Sequence, residues 1–264
     1  IENIEEEANK ICSPSLEFEL EPHQKFIRNF LSFQSPYNSL LIFHGLGTGK
    51  TCSSISVCEE MRNYYQQIGS KKKIMIIASP VVQENYKLQL FDERKLKNIN
   101  GLWNLKACTG NKFIKEVNPM NTKNLSKERV VKQIKKIIRQ SYEFLGYTEF
   151  ANKINKIMGK ITGEDSEKIK RKQIRAIERE FSDRLLVIDE VHNIRANDVK
   201  RRTTKNLLDL VSFAKNMKLL LLTATPMFNE ATEIVWLTNL MNLNDKRFPI
   251  KISDVFDKKG NFIK

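Results

Sequence analysis

With 264 residues the chain can form one large α/β domain or two small ones and bury most of its apolar surface. No run of 18 apolar residues occurs, and the first residues read IENIEEEANK instead of a basic, apolar leader, so neither a membrane span nor a signal peptide is expected. The net charge of +14 is polarised: residues 106–180 hold 19 Lys/Arg against 9 Asp/Glu, whereas residues 1–22 hold one lysine and seven glutamates; on charge alone the basic side either draws in a polyanionic partner or solvates long helices.

Cys12, Cys52, Cys58 and Cys108 show no C-x-x-C pairing and read as reduced thiols in a cytosol-like compartment. His23, His44 and His192 lack companions at ligand spacing, so no zinc centre is expected. The start at Ile1 suggests a segment trimmed from a longer protein.

Five short apolar runs stand out in chain order: SLLIFH (39–44), KIMIIASP (73–80), LWNLKACTG (102–110), RLLVIDE (184–190) and KLLLLTAT (218–225). Continuous apolar runs of this length predict strands covered on both faces, hence a parallel sheet. Helices are predicted over 51–67, over 82–98 and in NEATEIVWLTNLMN, where Ile234, Leu237 and Met241 share a face. Between the third and fourth runs lie about seventy residues that a minimal crossover does not need. Three stripes there predict helices: Val130, Ile134, Ile137, Ile138 and Tyr142 after a cap at Ser126; Phe150, Ile154, Ile157 and Met158; and Ile169, Ile174, Ile177 and Phe181 after Ser166. Gly146, Gly159 and Gly163 punctuate them, so a basic helical insertion is predicted. Its aromatics Tyr142, Phe144, Tyr147 and Phe150 read as helix core rather than base-stacking groups.

The stretch FHGLGTGKTCSS (43–54) follows the first predicted strand and opens the first predicted helix. A loop wrapping a triphosphate needs inward backbone N–H groups, which glycine permits at close approach, so Gly45, Gly47 and Gly49, with Thr48 between them, are candidate phosphate-binding residues. Lys50 would reach the β and γ oxygens, and the Thr51 hydroxyl would ligate magnesium. The strict pattern places glycine at 44, where this chain has His44. A second signal is LLVIDEVH, in which Asp189 and Glu190 end an apolar strand at the edge where parallel sheets bind ligands. Asp189 would hold the metal, and Glu190 would orient and deprotonate the attacking water.

Taken together, GLGTGKT, DEVH and LLTATP resemble motifs I, II and III of superfamily 2 helicases and translocases, in that order and over nearly the whole chain. The resemblance implies an α/β fold: a RecA-like P-loop NTPase lobe with a parallel β-sheet flanked by helices, with ATP and Mg2+ as its ligands. LEPHQKFIRNFL resembles the segment whose glutamine reads adenine, which implies that role for Gln24. Ser79 and Pro80 match motif Ia, and Thr109 and Gly110 stand where motif Ib would, so these four would grip a nucleic-acid backbone. Thr223, Ala224 and Thr225 match motif III, which couples the ATP site to the strand track, with His192 bridging to it. ACTGNKF, VIDEVHNIR and TATPMFNEATEIVWLTNLMN are similar to the helicase-type ATPases of large cytoplasmic DNA viruses, including the small subunit of the poxvirus early transcription factor.

That likeness implies DNA or RNA as partner and a cytoplasmic viral factory or virion as location; a non-viral relative would be cytosolic or nuclear. No Q-x-x-G-R-x-x-R stretch follows residue 225, so the second RecA-like lobe and its arginine finger are expected outside this segment, and the isolated lobe should hydrolyse ATP poorly. The predicted organisation is 1–110 and 183–245 as the two parts of the first lobe, 111–182 as the insertion and 246–264 as a linker. A transcription initiation factor that binds promoter DNA and viral RNA polymerase is the alternative, with a non-hydrolysing scaffold as a third reading; Glu190 speaks against the scaffold.

Overall fold

A computed structural model describes residues 19–43, 45, 49–99, 101–119, 125–159, 166–194, 199–227, 230–257 and 260–263. Seven strands are found among them: β1 (Ser39–Phe43), β2 (Ile74–Ile77), β3 (Leu96–Ile99), β4 (Leu102–Leu105), β5 (Tyr142–Leu145), β6 (Leu185–Ile188) and β7 (Lys218–Thr223). Five form one sheet in the order β1-β7-β6-β2-β5, with every pairing parallel. The inner strands β2, β6 and β7 are buried along their whole length, which is why their sequences are uninterrupted apolar runs.

Alternate strand residues feed two cores. Ile74, Ile76, Leu185, Val187, Leu220 and Leu222 point to one face, and Met75, Ile77, Leu186, Ile188, Leu219 and Leu221 to the other. The first face is covered by α1 (Pro22–Phe30), α2 (Lys50–Gln67), α3 (Pro80–Leu90), α4 (Lys112–Val117) and α5 (Lys127–Ser141), through residues such as Ile27, Ile55, Leu90, Phe113 and Ile134. The second is covered by α6 (Tyr147–Met158), α7 (Ser166–Phe181), α8 (Val199–Phe213) and α9 (Glu233–Asn244), through Phe150, Phe181, Leu207 and Leu240. The predicted cap at Ser126 accepts a hydrogen bond from Arg129 N at 3.4 Å, and Ser79, read as a backbone-gripping residue, caps α3 by accepting from Val82 N at 3.4 Å; the side chain of Ser166 lies outside the described residues.

The structure corrects three expectations. LWNLKACTG supplies no strand to the main sheet: β4 pairs antiparallel with β3 in a separate hairpin. Residues 82–98 therefore hold the end of α3 and then a strand, and Gly101, at φ +83°, stands at the reversal between β3 and β4. The fifth strand of the main sheet comes instead from Tyr142–Leu145, where the sequence predicts the end of a helical stripe at Tyr142; a segment as short as Tyr-Glu-Phe-Leu fits either period, and pairing with β2 decided the matter. Consequently 111–182 holds a strand as well as helices: α4 and α5 pack on one face, α6 and α7 on the other, with β5 passing between them.

The third correction concerns the thiols. Cys52 and Cys108 are joined by a disulfide with their Cα atoms 5.3 Å apart, a pairing made when the β3–β4 hairpin folds back on α2. Cys58 is a free, buried thiol, and burial pushes its pKa well up. Among the described residues, no helix is long and apolar enough to cross a membrane, and no group of three or more His, Cys, Asp or Glu residues could hold a metal ion.

Candidate nucleotide site

The turn into α2 is shaped by Gly49, whose φ of +79° lies in the left-handed region that an L side chain resists. A Cβ there would also come within 2.8 Å of Gln24 Nε2, so a side chain at this position would displace the glutamine amide. Gln24 is buried, and its Oε1 accepts from Glu21 N at 3.1 Å, so a capping box at the start of α1 fixes its amide against the loop. Gly45 is exposed, and a Cβ there would meet nothing within 4 Å. His44, Gly47 and Thr48 lie outside the described residues. Lys50 and Thr51 form the first turn of α2.

The sheet brings the two predicted halves together. Asp189 N donates to Ile77 O at 2.9 Å, continuing the β2–β6 ladder one step beyond the strand and placing the acid pair at the carboxyl rim. Lys50 Nζ lies 3.5 Å from Glu190 Oε1, and the ammonium is buried without a hydrogen-bond partner among the described residues. Glu190 has φ +44°, a strained value for a residue with a side chain. Its backbone N donates to Asp189 Oδ1 at 2.9 Å, and its Oε2 accepts from Ala224 N at 3.3 Å.

Motif III closes the far side. His192 Nδ1 sits 3.2 Å from Thr223 Oγ1 and 3.4 Å from Glu190 Oε2, and Thr225 N donates to Thr223 Oγ1 at 3.0 Å. Glu190 therefore touches both Lys50 and the end of β7, joining the start of α2 to the segment after β7 in one chain of contacts.

Burial, then the neighbouring charge of Glu190, pushes the Asp189 carboxyl up to about 6. Asp189 is 8% exposed, and Tyr147 Oη donates to its backbone carbonyl at 2.7 Å. An acid whose folded pKa exceeds its unfolded value near 4 binds its proton more tightly when folded, so its ionisation above pH ~6 works against the fold. Asp189→Asn is accordingly expected to stabilise the nucleotide-free chain at pH 7.5 by roughly 1–3 kcal/mol, the gain shrinking below pH ~6 and vanishing near pH 4. Urea unfolding at several pH values measures this; equal stability of both proteins at pH 7.5 would contradict it.

The predicted backbone-gripping residues do not converge. Ser79 and Pro80 start α3, whereas the Thr109 hydroxyl donates to Leu90 O at 2.9 Å, at the opposite end of that helix, about 16 Å away by helical rise. Thr109 is 6% exposed, so its hydroxyl is spent on the turn, and Gly110 closes that turn by donating to Ala107 O. Beside Ser79 at the rim stands the end of β5, where Ala78 N donates to Leu145 O and Gly146–Tyr147 begins α6. Gly146, Tyr147, Ser54 and Tyr86 were missed as neighbours of the site; Tyr86 Oη lies 2.8 Å from Ser54 Oγ. Only the strand assignment of Tyr142–Leu145 could have pointed to the first two.

A five-stranded parallel sheet flanked by helices, with a glycine-shaped helix start, a buried lysine and a paired acid strand end, is consistent with a RecA-like lobe. The model of the SNF2-related domain matches residues 23–259, and the chain belongs to that family. It is 28% identical over 253 residues to "Putative ATP-dependent RNA helicase L377" of Acanthamoeba polyphaga mimivirus, an overlap covering 90% of this chain and 20% of that protein. Similarity of the same order extends to "Putative helicase 087L" of Invertebrate iridescent virus 3 (28% identity, 88% of this chain, 21% of the relative) and "Putative helicase 009L" of Frog virus 3 (25%, 92% and 22%). The chain thus spans about a fifth of the length of these relatives.

Proposed function

We propose that this chain is the ATP-binding first lobe of a superfamily 2 nucleic-acid-dependent motor of a large DNA virus, remodelling DNA or RNA at the expense of ATP. The observation that carries this reading is the buried Lys50 ammonium, which has no hydrogen-bond partner among the described residues and lies 3.5 Å from Glu190 across the cleft. An unsatisfied buried cation is costly unless a ligand completes it, and a phosphate oxygen is a suitable acceptor. Gly49 leaves room for close backbone approach, and Gln24 beside it offers an amide to an adenine edge. Thr51 and Asp189 would hold magnesium, whose charge neutralises the phosphates it contacts when bound. Lys50 would then leave Glu190 for the phosphates, freeing that carboxylate to orient and deprotonate water. The contact of Glu190 with Ala224 N, and of His192 with Thr223, supports coupling between hydrolysis and motif III.

Ser79 and Pro80, together with the adjacent Gly146 and Tyr147, are the proposed nucleic-acid contacts at the rim. A second lobe elsewhere in the protein would supply the arginine finger, and the greater length of the relatives leaves room for it.

ATP hydrolysis by the chain, and by any longer form containing it, should be compared with single-stranded DNA, duplex DNA and RNA at two salt concentrations. Stimulation by at least one nucleic acid, weakening as salt rises, is expected because phosphate neutralisation releases counterions. Hydrolysis indifferent to all three would remove the motor reading.

A further inference from the structure

The disulfide joins two places of consequence. Cys52 follows Thr51 in the first turn of α2, beside the proposed phosphate site, and Cys108 precedes Thr109 and Gly110 in the turn after β4. Cys108 also lines a cavity of about 410 Å³ whose wall carries the cations Lys25, Arg28, Lys112 and Lys115, with Glu19 and Glu59 as its acids. Glu59 is already engaged by Arg62, leaving the wall a cationic excess suited to an anionic ligand. Glutathione, a tripeptide with a net negative charge at neutral pH, matches that charge and carries the chemistry a cysteine needs. Cys58, six residues along α2, is fully buried and reached by neither route.

We propose that Cys52 and Cys108 form a reversible, glutathione-responsive dithiol that fastens the phosphate-loop helix to the β3–β4 hairpin. In the reduced chain the Cys108 thiolate attacks one sulfur of oxidised glutathione, forming a mixed disulfide and expelling a glutathione thiolate. A thiolate in the first turn of a helix is favoured by the amide dipoles, so Cys52 is placed to attack the Cys108 sulfur and expel the second glutathione thiolate. The two cysteines lose two electrons, oxidised glutathione gains them, and the two thiol protons end on the two reduced glutathiones. In a reducing compartment the pair rests as thiols, so the bond records oxidation. Its effect on nucleotide rests on the proposed ATP site: with the bond closed, the first turn of α2, which carries Lys50 and Thr51, is held in place, and preorganisation of that helix start favours binding.

The test equilibrates the chain with a series of reduced-to-oxidised glutathione ratios, then reads alkylation of the Cys52 and Cys108 peptides by mass, thermal melting, and affinity for a fluorescent ATP analogue. The bonded form should melt about 5–10 °C higher, as expected for a cross-link closing a long loop, and bind the analogue roughly threefold to tenfold more tightly. Cys52→Ser and Cys108→Ser should each erase both differences, while Cys58→Ala retains them. Full alkylation of both cysteines at every ratio would overturn the proposal, as would equal melting of bonded and reduced chain. Absence of analogue binding in both forms would instead remove the ATP-site reading, with the mass and melting results judging the thiol pair independently.

Discussion

Replacing Glu190 with glutamine is expected to slow nucleic-acid-stimulated ATP hydrolysis by about 10²- to 10⁴-fold while leaving ATP binding intact, because a general base contributes on that order. Glutamine keeps the size of the side chain and can still accept from Ala224 N, so the motif III contact survives, but it takes no proton from water. It also releases Lys50 from its ion pair at 3.5 Å, so affinity for ATP should hold or rise slightly. Lys50→Ala should behave in the opposite manner: removing a charge-assisted hydrogen bond worth about 1.5–3 kcal/mol weakens ATP binding roughly tenfold to a hundredfold. Equilibrium binding and steady-state hydrolysis on both variants separate the two roles. Wild-type turnover by the Glu190→Gln protein would sink the assignment.

The second large effect lies at Arg62, which no motif marks. Its guanidinium donates to both oxygens of Glu59 at 2.8–3.1 Å and to Glu116 Oε2 at 2.7 Å, and it lies 4.9 Å from the ring centre of Phe113. Tyr142 Oη donates to Glu59 Oε1 at 2.6 Å, so one buried cluster pins α2 to α4 and to the edge strand β5. Burial alone would lower the Arg62 pKa, but the hydrogen bond and charge of Glu59, reinforced by Glu116, outweigh it and the net direction is upward. Arg62→Ala strands the Glu59 carboxylate in the interior, and breaking a buried pair in this way costs about 3–5 kcal/mol. Melting should fall by about 10 °C for a chain of this size. Glu59→Gln combined with Arg62→Met should recover most of the loss, since no buried charge is then left alone. A loss below about 1 kcal/mol for Arg62→Ala would show that Glu59 finds other compensation.

The two halves of the candidate nucleotide site were legible because each is a local pattern. GLGTGKT and LLVIDEVH carry their own strand and turn chemistry, and Gly49, Lys50, Asp189 and Glu190 stand where those patterns place them. The cap at Ser126 is local in the same sense, its hydroxyl reaching a backbone N–H three residues on. The stripes of Phe150, Ile154, Ile177 and Phe181 named their buried faces correctly because helical period is a property of neighbouring residues.

What tertiary structure alone decided is everything that depends on a distant neighbour. Tyr142–Leu145 became a strand because β2 offered an unpaired edge, and that pairing moved the rim position beside Ser79 from Thr109 to Gly146 and Tyr147. Thr109 lost its open hydroxyl to Leu90, and Cys52 met Cys108 across 56 residues, once the hairpin folded back on α2. Short apolar segments and single polar groups take their roles from what packs against them, and no spacing along the chain encodes those contacts.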